Sequence, residues 1–144
     1  MSDVKSFISF ESYQVLEMEF VLNPAFVPDK NNIQLEPTFS VSHHYFTDPV
    51  NGVEVTLGCE LFDKDFSNTD KPFYLNLILK GLFTIETENK EQISLDIVKD
   101  VSFANTVAIL FPYLRSSITS ITATANVDPL ILPTININNL LRNS

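Results

Sequence analysis

The chain has no tryptophan, a single cysteine and only three glycines among its 144 residues. A lone thiol, Cys59, cannot close an internal disulfide, and the chain therefore fits a reducing, cytoplasmic compartment. Gly52, Gly58 and Gly81 stand far apart, so no glycine-rich phosphate loop can form. Positive charge is scarce as well. Nine Lys and Arg face eighteen Asp and Glu, a formal net charge of -9. Nucleic acid and anionic lipid both select clustered cations, and this balance excludes both as partners. Uninterrupted apolar runs are far shorter than a bilayer crossing, so no membrane insertion is expected. The opening Met1-Ser-Asp-Val-Lys5 shows no secretory pattern.

What is there is apolar side chains, at 44% of the chain, enough for a real core. The length points to one domain over residues 1–144, with 1–8 frayed. From Tyr13 to Leu22, Leu16, Met18, Phe20 and Leu22 alternate with Glu17 and Glu19, which predicts a half-buried strand. A second strand follows Pro37, with Phe39, Val41, His43 and Tyr45 on one face. Asn51-Gly52 reads as a tight hairpin with positive backbone angles. The third strand, Val53 to about Phe62, puts Val53, Val55, Leu57, Cys59 and Leu61 on one face. The fourth, Phe73 to about Thr87, carries Leu75, Leu77 and Leu79 on one face and Ile78 and Leu82 on the other, so both faces are partly buried.

Beyond a polar segment the period changes. Val107, Leu110, Leu114, Ile118, Ile121 and Ala125 recur at helical spacing, which predicts a long helix over about 103–124. Pro112 either kinks it or marks the start of its regular part. Pro129 and Pro133 then bracket Leu130, Ile131 and Leu132 in an extended segment. Three consecutive aliphatics cannot all face one core. They form either a clamp between helices or a hydrophobic binding surface. A short helix near 135–141 closes the chain. Four antiparallel strands followed by helices give an α+β fold.

Catalytic chemistry finds little foothold. His43 and His44 are neighbours on a strand, point to opposite faces and cannot share a metal. Cys59 alternates with core aliphatics and reads as a small buried hydrophobe. Glu17 and Glu19 read as a solvated face. No enzyme, cofactor or metal is expected.

One set of residues carries a resemblance. Ile109-Leu-Phe-Pro-Tyr-Leu-Arg115, Ile118, Pro129-Leu-Ile-Leu-Pro133, Asn136 and Leu140, with Gly81-Leu-Phe83 and Glu36-Pro-Thr-Phe39 upstream, resemble the SecB export-chaperone family over roughly residues 10 to 141. The resemblance implies a four-stranded antiparallel sheet with the long helix and the short C-terminal helix packed on one side, and an ATP-independent holdase for unfolded polypeptides or preproteins, assembled as a homotetramer, a dimer of dimers. It implies a client groove at Leu35, Phe39, Val41, Leu130, Leu132, Ile135 and Leu140. It further implies that Leu75, Leu77 and Leu79, with Leu110, Leu114 and Ile118 of the long helix, join the two dimers. The family docks to the SecA motor through acids on its sheet and an acidic tail. Glu19 matches one such acid, but Asn76 stands where another is expected, and no acidic tail follows Leu140. Two other readings keep the same fold: a chaperone dedicated to one partner, such as an antitoxin, and an adaptor without client binding.

Overall fold

A computed structural model of the chain describes residues 8–26, 37–47, 50–66, 71–86 and 94–126. Alternating aliphatics produce four antiparallel strands, β1 (Ile8–Leu22), β2 (Thr38–Phe46), β3 (Gly52–Leu61) and β4 (Phe73–Ile85), followed by one long helix, α1 (Leu95–Thr124). The sheet order is β1-β4-β3-β2. Strands β2, β3 and β4 form a meander, and β1 adds to its far side against β4. The expected α+β sheet-plus-helix architecture is the one observed. The short helix expected near 135–141 lies outside the described residues.

The two central strands hold the core. Val53, Val55, Leu57 and Leu61 of β3 and Leu75, Leu77 and Leu79 of β4 are fully buried, and Cys59 nearly so. Val107, Leu110, Leu114 and Ile118 cover them from α1, also with no exposed surface. Each such side chain contributes about 1.5–3 kcal/mol relative to full exposure. This corrects the interface expected at Leu75, Leu77, Leu79, Leu110, Leu114 and Ile118. All six are already covered within one subunit, so none presents surface to a second copy. Ile78 and Leu82, on the open face of β4, remain half-buried.

The helix is longer than its apolar stripe suggested. It starts at an N-cap, Ser94, whose hydroxyl accepts from the Ile97 N–H at 3.3 Å, with Asp96 in the first turn. Its inward positions there are Val98, Ser102 and Thr106, all fully buried. Two of these three are hydroxyl residues, so the apolar periodicity begins only at Val107. Pro112 lies inside the helix on its exposed side, where the missing backbone bond can be met by water. Asn126, with φ of 62°, stops the helix in the left-handed conformation that asparagine tolerates. By length and composition alone α1 could cross a membrane, but a core helix passes the same test, and its inward stripe is seated on the sheet.

Strand β1 departs from simple alternation. Its register against β4 slips twice, between Phe10 and Ser12 and between Val15 and Glu17. Glu11 and Leu16 are therefore extra residues, and each bulge exchanges the two faces of the strand. Paired with Gly81, Leu79, Leu77, Leu75 and Phe73, the residues Tyr13, Val15, Met18, Phe20 and Leu22 share the helix side of the sheet. Phe20 packs on Phe73 with ring centroids 5.1 Å apart. Met18 and Leu22 stay about half exposed, at 54% and 52%, rather than buried as the alternation predicted.

Glycine acts here through close approach. Gly52 was expected to supply positive φ in a hairpin, but no described glycine has positive φ. Gly52 is instead the first residue of β3, where a β-carbon would fall 2.9 Å from the Phe83 carbonyl oxygen. At Gly81 a β-carbon would lie 3.1 Å from Phe83 Cε1 and 3.2 Å from Leu110 Cδ1. Gly81 thus sets how closely α1 sits on β4. Replacing it with valine should overpack that contact and lower stability by about 1–3 kcal/mol in urea unfolding. An unchanged unfolding midpoint would show that the helix is not seated on this position.

Candidate functional site

Of the residues expected in a client groove, Leu35, Leu130, Leu132, Ile135 and Leu140 lie outside the described residues. Phe39 and Val41 are described. Both sit on the helix side of β2, an edge strand, opposite Cys59 and Leu57 of β3. Each is half-buried and packs against the core. The Phe39 ring lies 5.9 Å from that of Phe111 on α1. An apolar seam therefore runs between the edge of the sheet and the helix, and it is only partly covered.

Further along β2 the seam becomes polar. His43 Nε2 is 3.1 Å from the Thr106 hydroxyl, and the Tyr45 hydroxyl is 2.9 Å from that of Ser102. Thr106 also donates to the Ser102 carbonyl at 2.7 Å. The His43 ring stacks on Phe103 with centroids 4.6 Å apart, and on Tyr45 at 6.0 Å. Lys99 Nζ hangs 5.8 Å over the Tyr45 ring. Burial holds the His43 pKa below its usual value, partly offset by a hydrogen bond to the Phe103 backbone. Burial raises that of Tyr45, opposed by the Ser102 hydrogen bond. His44 points to the opposite face, beside Phe46 at 5.5 Å, as two adjacent strand residues must. Ser102, Thr106 and Phe103 carried no recognised sequence signal. The one available, for Ser102 and Thr106, was their spacing from Val98, at i+4 and i+8, once hydroxyls are admitted as inward residues.

Cys59 is buried, and burial first, then the neighbouring Glu60, pushes its pKa up to about 12. A thiol held neutral in this way is a poor nucleophile. No group of three or more potential metal ligands occurs among the described residues.

The sheet face away from α1 is a polar lattice. Glu17 accepts from the Asn76 amide at 2.6 Å, Glu19 pairs with Lys64 at 2.8 Å, and Tyr74 donates to Glu60 at 2.8 Å. Thr84 donates to Glu11 at 2.7 Å. Glu19, the acid expected to meet a motor, is thus engaged by a lysine. Asn76, where another acid was expected, serves Glu17 as a donor. An acid there would set two carboxylates face to face.

The chain matches the family model described as preprotein translocase subunit SecB over residues 11–144. It belongs to the SecB family. A relative in Methanocaldococcus jannaschii, "Uncharacterized protein MJ0357", is 35% identical over 144 residues, covering 96% of this chain and 85% of that one. Among solved structures, the Mycobacterium tuberculosis Rv1957 SecB-like chaperone, in complex with a ChAD peptide from the Rv1956 HigA1 antitoxin, superposes with a TM-score of 0.74. The two are 13% identical over 92% of this chain and 93% of that one, so the likeness is one of fold. The membership implied by Ile109–Arg115 and the later proline pair is therefore established, and with it the SecB-type fold.

The pairing of Glu17 with Asn76 yields a test. Asn76→Asp should lower stability at neutral pH by about 0.2–1 kcal/mol, because the new carboxylate could no longer donate to Glu17 and would stand directly opposite Glu19 of β1 and Glu60 of β3, where like charges repel. Acidification protonates carboxylates, so the deficit should shrink as pH falls through the carboxylate range. Thermal unfolding at pH 7 and pH 4 reads both effects. An equal deficit at the two values would mean that packing, not charge, is the cause.

Proposed function

We propose that this SecB-family protein is an ATP-independent holdase chaperone, which covers apolar segments of unfolded polypeptides or preproteins along the groove bordered by β2 and α1. The observation that carries the reading is the partly covered apolar seam where Phe39 and Val41 of the edge strand β2 meet Phe111 of α1. Burying such surface against a client's side chains is favourable without hydrolysis. Leu130 and Leu132, with Leu35, Ile135 and Leu140, complete the groove in this reading. A net charge of -9 favours clients that are neutral or basic. The SecB-like fold bound to an antitoxin peptide in M. tuberculosis supports a polypeptide ligand, and makes a chaperone dedicated to one partner the second reading.

Aggregation assays with several unrelated unfolded proteins separate the two. Suppression of all, unchanged by ATP, is the expected result, and Leu130→Ser with Leu132→Ser should weaken client binding at least about tenfold, about 1.4 kcal/mol or more. Suppression confined to one partner would establish the dedicated chaperone, and suppression of none would leave an adaptor.

The same reading takes the protein as a homotetramer, a dimer of dimers. Support comes from Tyr13, Val15, Met18 and Leu22 on β1 and Ile109 and Tyr113 on α1, large apolar side chains still exposed in the single chain. Tyr13 and Tyr113 lie 4.7 Å apart, so the strand and helix parts of this surface meet. A charge placed there would be desolvated without a partner on association. Light scattering of the wild type should give the mass of four chains, and Met18→Arg a smaller assembly with an intact fold. A monomeric wild type at micromolar concentration would overturn the assembly.

A further inference from the structure

The two edges of the sheet are unlike. At β1 the ladder slips twice, and Glu11, Glu17 and Glu19 stand along the strand, all features that blunt an edge against further pairing. Strand β2 has neither. Its nine residues include no Asp, Glu, Lys, Arg or Pro, and they pair with β3 without a slip. Among the described residues no strand lies beyond it. A regular, uncharged edge of this length is a template for another strand.

The phase of the ladder says which groups are on offer. The Ile85 N–H donates to the Asn51 carbonyl at 2.9 Å, and Gly52 pairs with Thr84. Odd-numbered residues of β3 therefore bond to β4, and the even-numbered ones, Gly52 to Glu60, bond to β2. Their partners, Phe46 to Thr38, are also even-numbered. In agreement, the Phe46 carbonyl faces the hairpin and accepts from the Asn51 N–H at 3.4 Å. The N–H and C=O groups of Phe39, Val41, His43 and Tyr45 thus point away from β3, along the edge. The side chains of these same four residues border the seam with α1.

We propose that β2 holds an extended segment of an unfolded polypeptide as an added strand, through main-chain hydrogen bonds to Phe39, Val41, His43 and Tyr45.

Polarity selects this occupant over a second copy of the chain. Paired over its full length with itself, β2 would set Phe39 opposite Tyr45 and Val41 opposite His43, apolar end against polar end. A client is free of that symmetry. Its alternate side chains are apolar beside Phe39 and Val41, and hydroxyl or amide beside His43 and Tyr45, where Ser102 and Thr106 already supply hydroxyls. Main-chain bonds are the same for every sequence, so the edge supplies affinity and the seam supplies preference. The proposal rests on the reading of the seam as a client groove and adds how the client is held there.

Hydrogen exchange of the whole protein, resolved by residue, tests it. The probe is a synthetic peptide with lysine at both ends and threonine at every second position. Between the threonines stands valine in one half and serine in the other. In the free protein the amides of Ser40, Ser42 and His44 should be protected and those of Phe39, Val41, His43 and Tyr45 should exchange fast. Peptide should slow the second set at least about tenfold and leave the first nearly unchanged. Two N-methylated peptides give an independent check. Methylation on the threonines and methylation on the valines and serines should differ at least about tenfold in binding, because only one set of amides faces β2. Equal effects of the two, failure of the peptide to bind, or binding without the alternating protection would overturn the added strand. So would protection of all these amides in the free protein: one that falls on dilution would mean a second copy at the edge, and one that does not would mean the chain covers the edge itself. Binding without the alternation leaves the holdase standing. The alternation without suppression of aggregation would count against the holdase alone.

Discussion

The seating of α1 on the two central strands is the constraint on which the rest of the structure depends. Leu110 rests over Gly81, where a side chain would not fit, and Leu114 and Ile118 continue the contact. Because interiors pack as densely as organic crystals, the helix cannot be moved outward by even a methyl group without loss. That one placement fixes which face of the sheet is covered. It leaves the other face to the lattice of Glu11, Glu17, Glu19, Glu60, Lys64 and Asn76. It also sets the helix against the edge strand β2 closely enough for Phe39 to reach Phe111, yet without closing the seam.

Much of this was legible in the residues. The alternation in β3 and β4 gave the buried faces correctly, and β2 carries Phe39, Val41, His43 and Tyr45 on the helix side as expected. The end of the helix at Thr124 was also readable. Its start was not, because Ser102 and Thr106 occupy inward positions and satisfy their hydroxyls on a carbonyl and on β2. A buried hydroxyl with a partner looks polar in sequence and behaves as core in space. Strand β1 misled for a different reason. Two extra residues, Glu11 and Leu16, swap its faces, and nothing in composition marks a bulge. The interface residues failed through ambiguity: leucines on a strand and on a helix stripe can meet each other or a second copy, and here they meet each other. Of the groove, Phe39 and Val41 are placed beside the helix, and the remaining expected residues fall outside the described segments.

The chemistry of the two sheet faces suits different tasks. The open face is a network of exposed carboxylates already engaged by amide, hydroxyl and ammonium groups, and such contacts contribute little individually. The covered face ends at both margins in incompletely covered apolar side chains, the half-buried Phe39 and Val41 on one side and the exposed Tyr13, Val15 and Met18 on the other. An apolar margin can bind a partner without a reacting group.

The sheet order also governs how the protein emerges during synthesis. Strand β1 is made first, but its partner β4 is made last of the four, so that Ile8 must wait for Ile85. At about 5–20 residues per second, the nascent first strand spends several seconds unpaired. Over that time it carries Tyr13, Val15, Leu16, Met18, Val21 and Leu22 with no ladder to hide them. Glu11, Glu17 and Glu19 interrupt this run with like charges, which disfavours pairing with an identical strand from a neighbouring chain. The acids that line the open face of the finished sheet are thus also the charges that break up the apolar run of β1 before it has a partner.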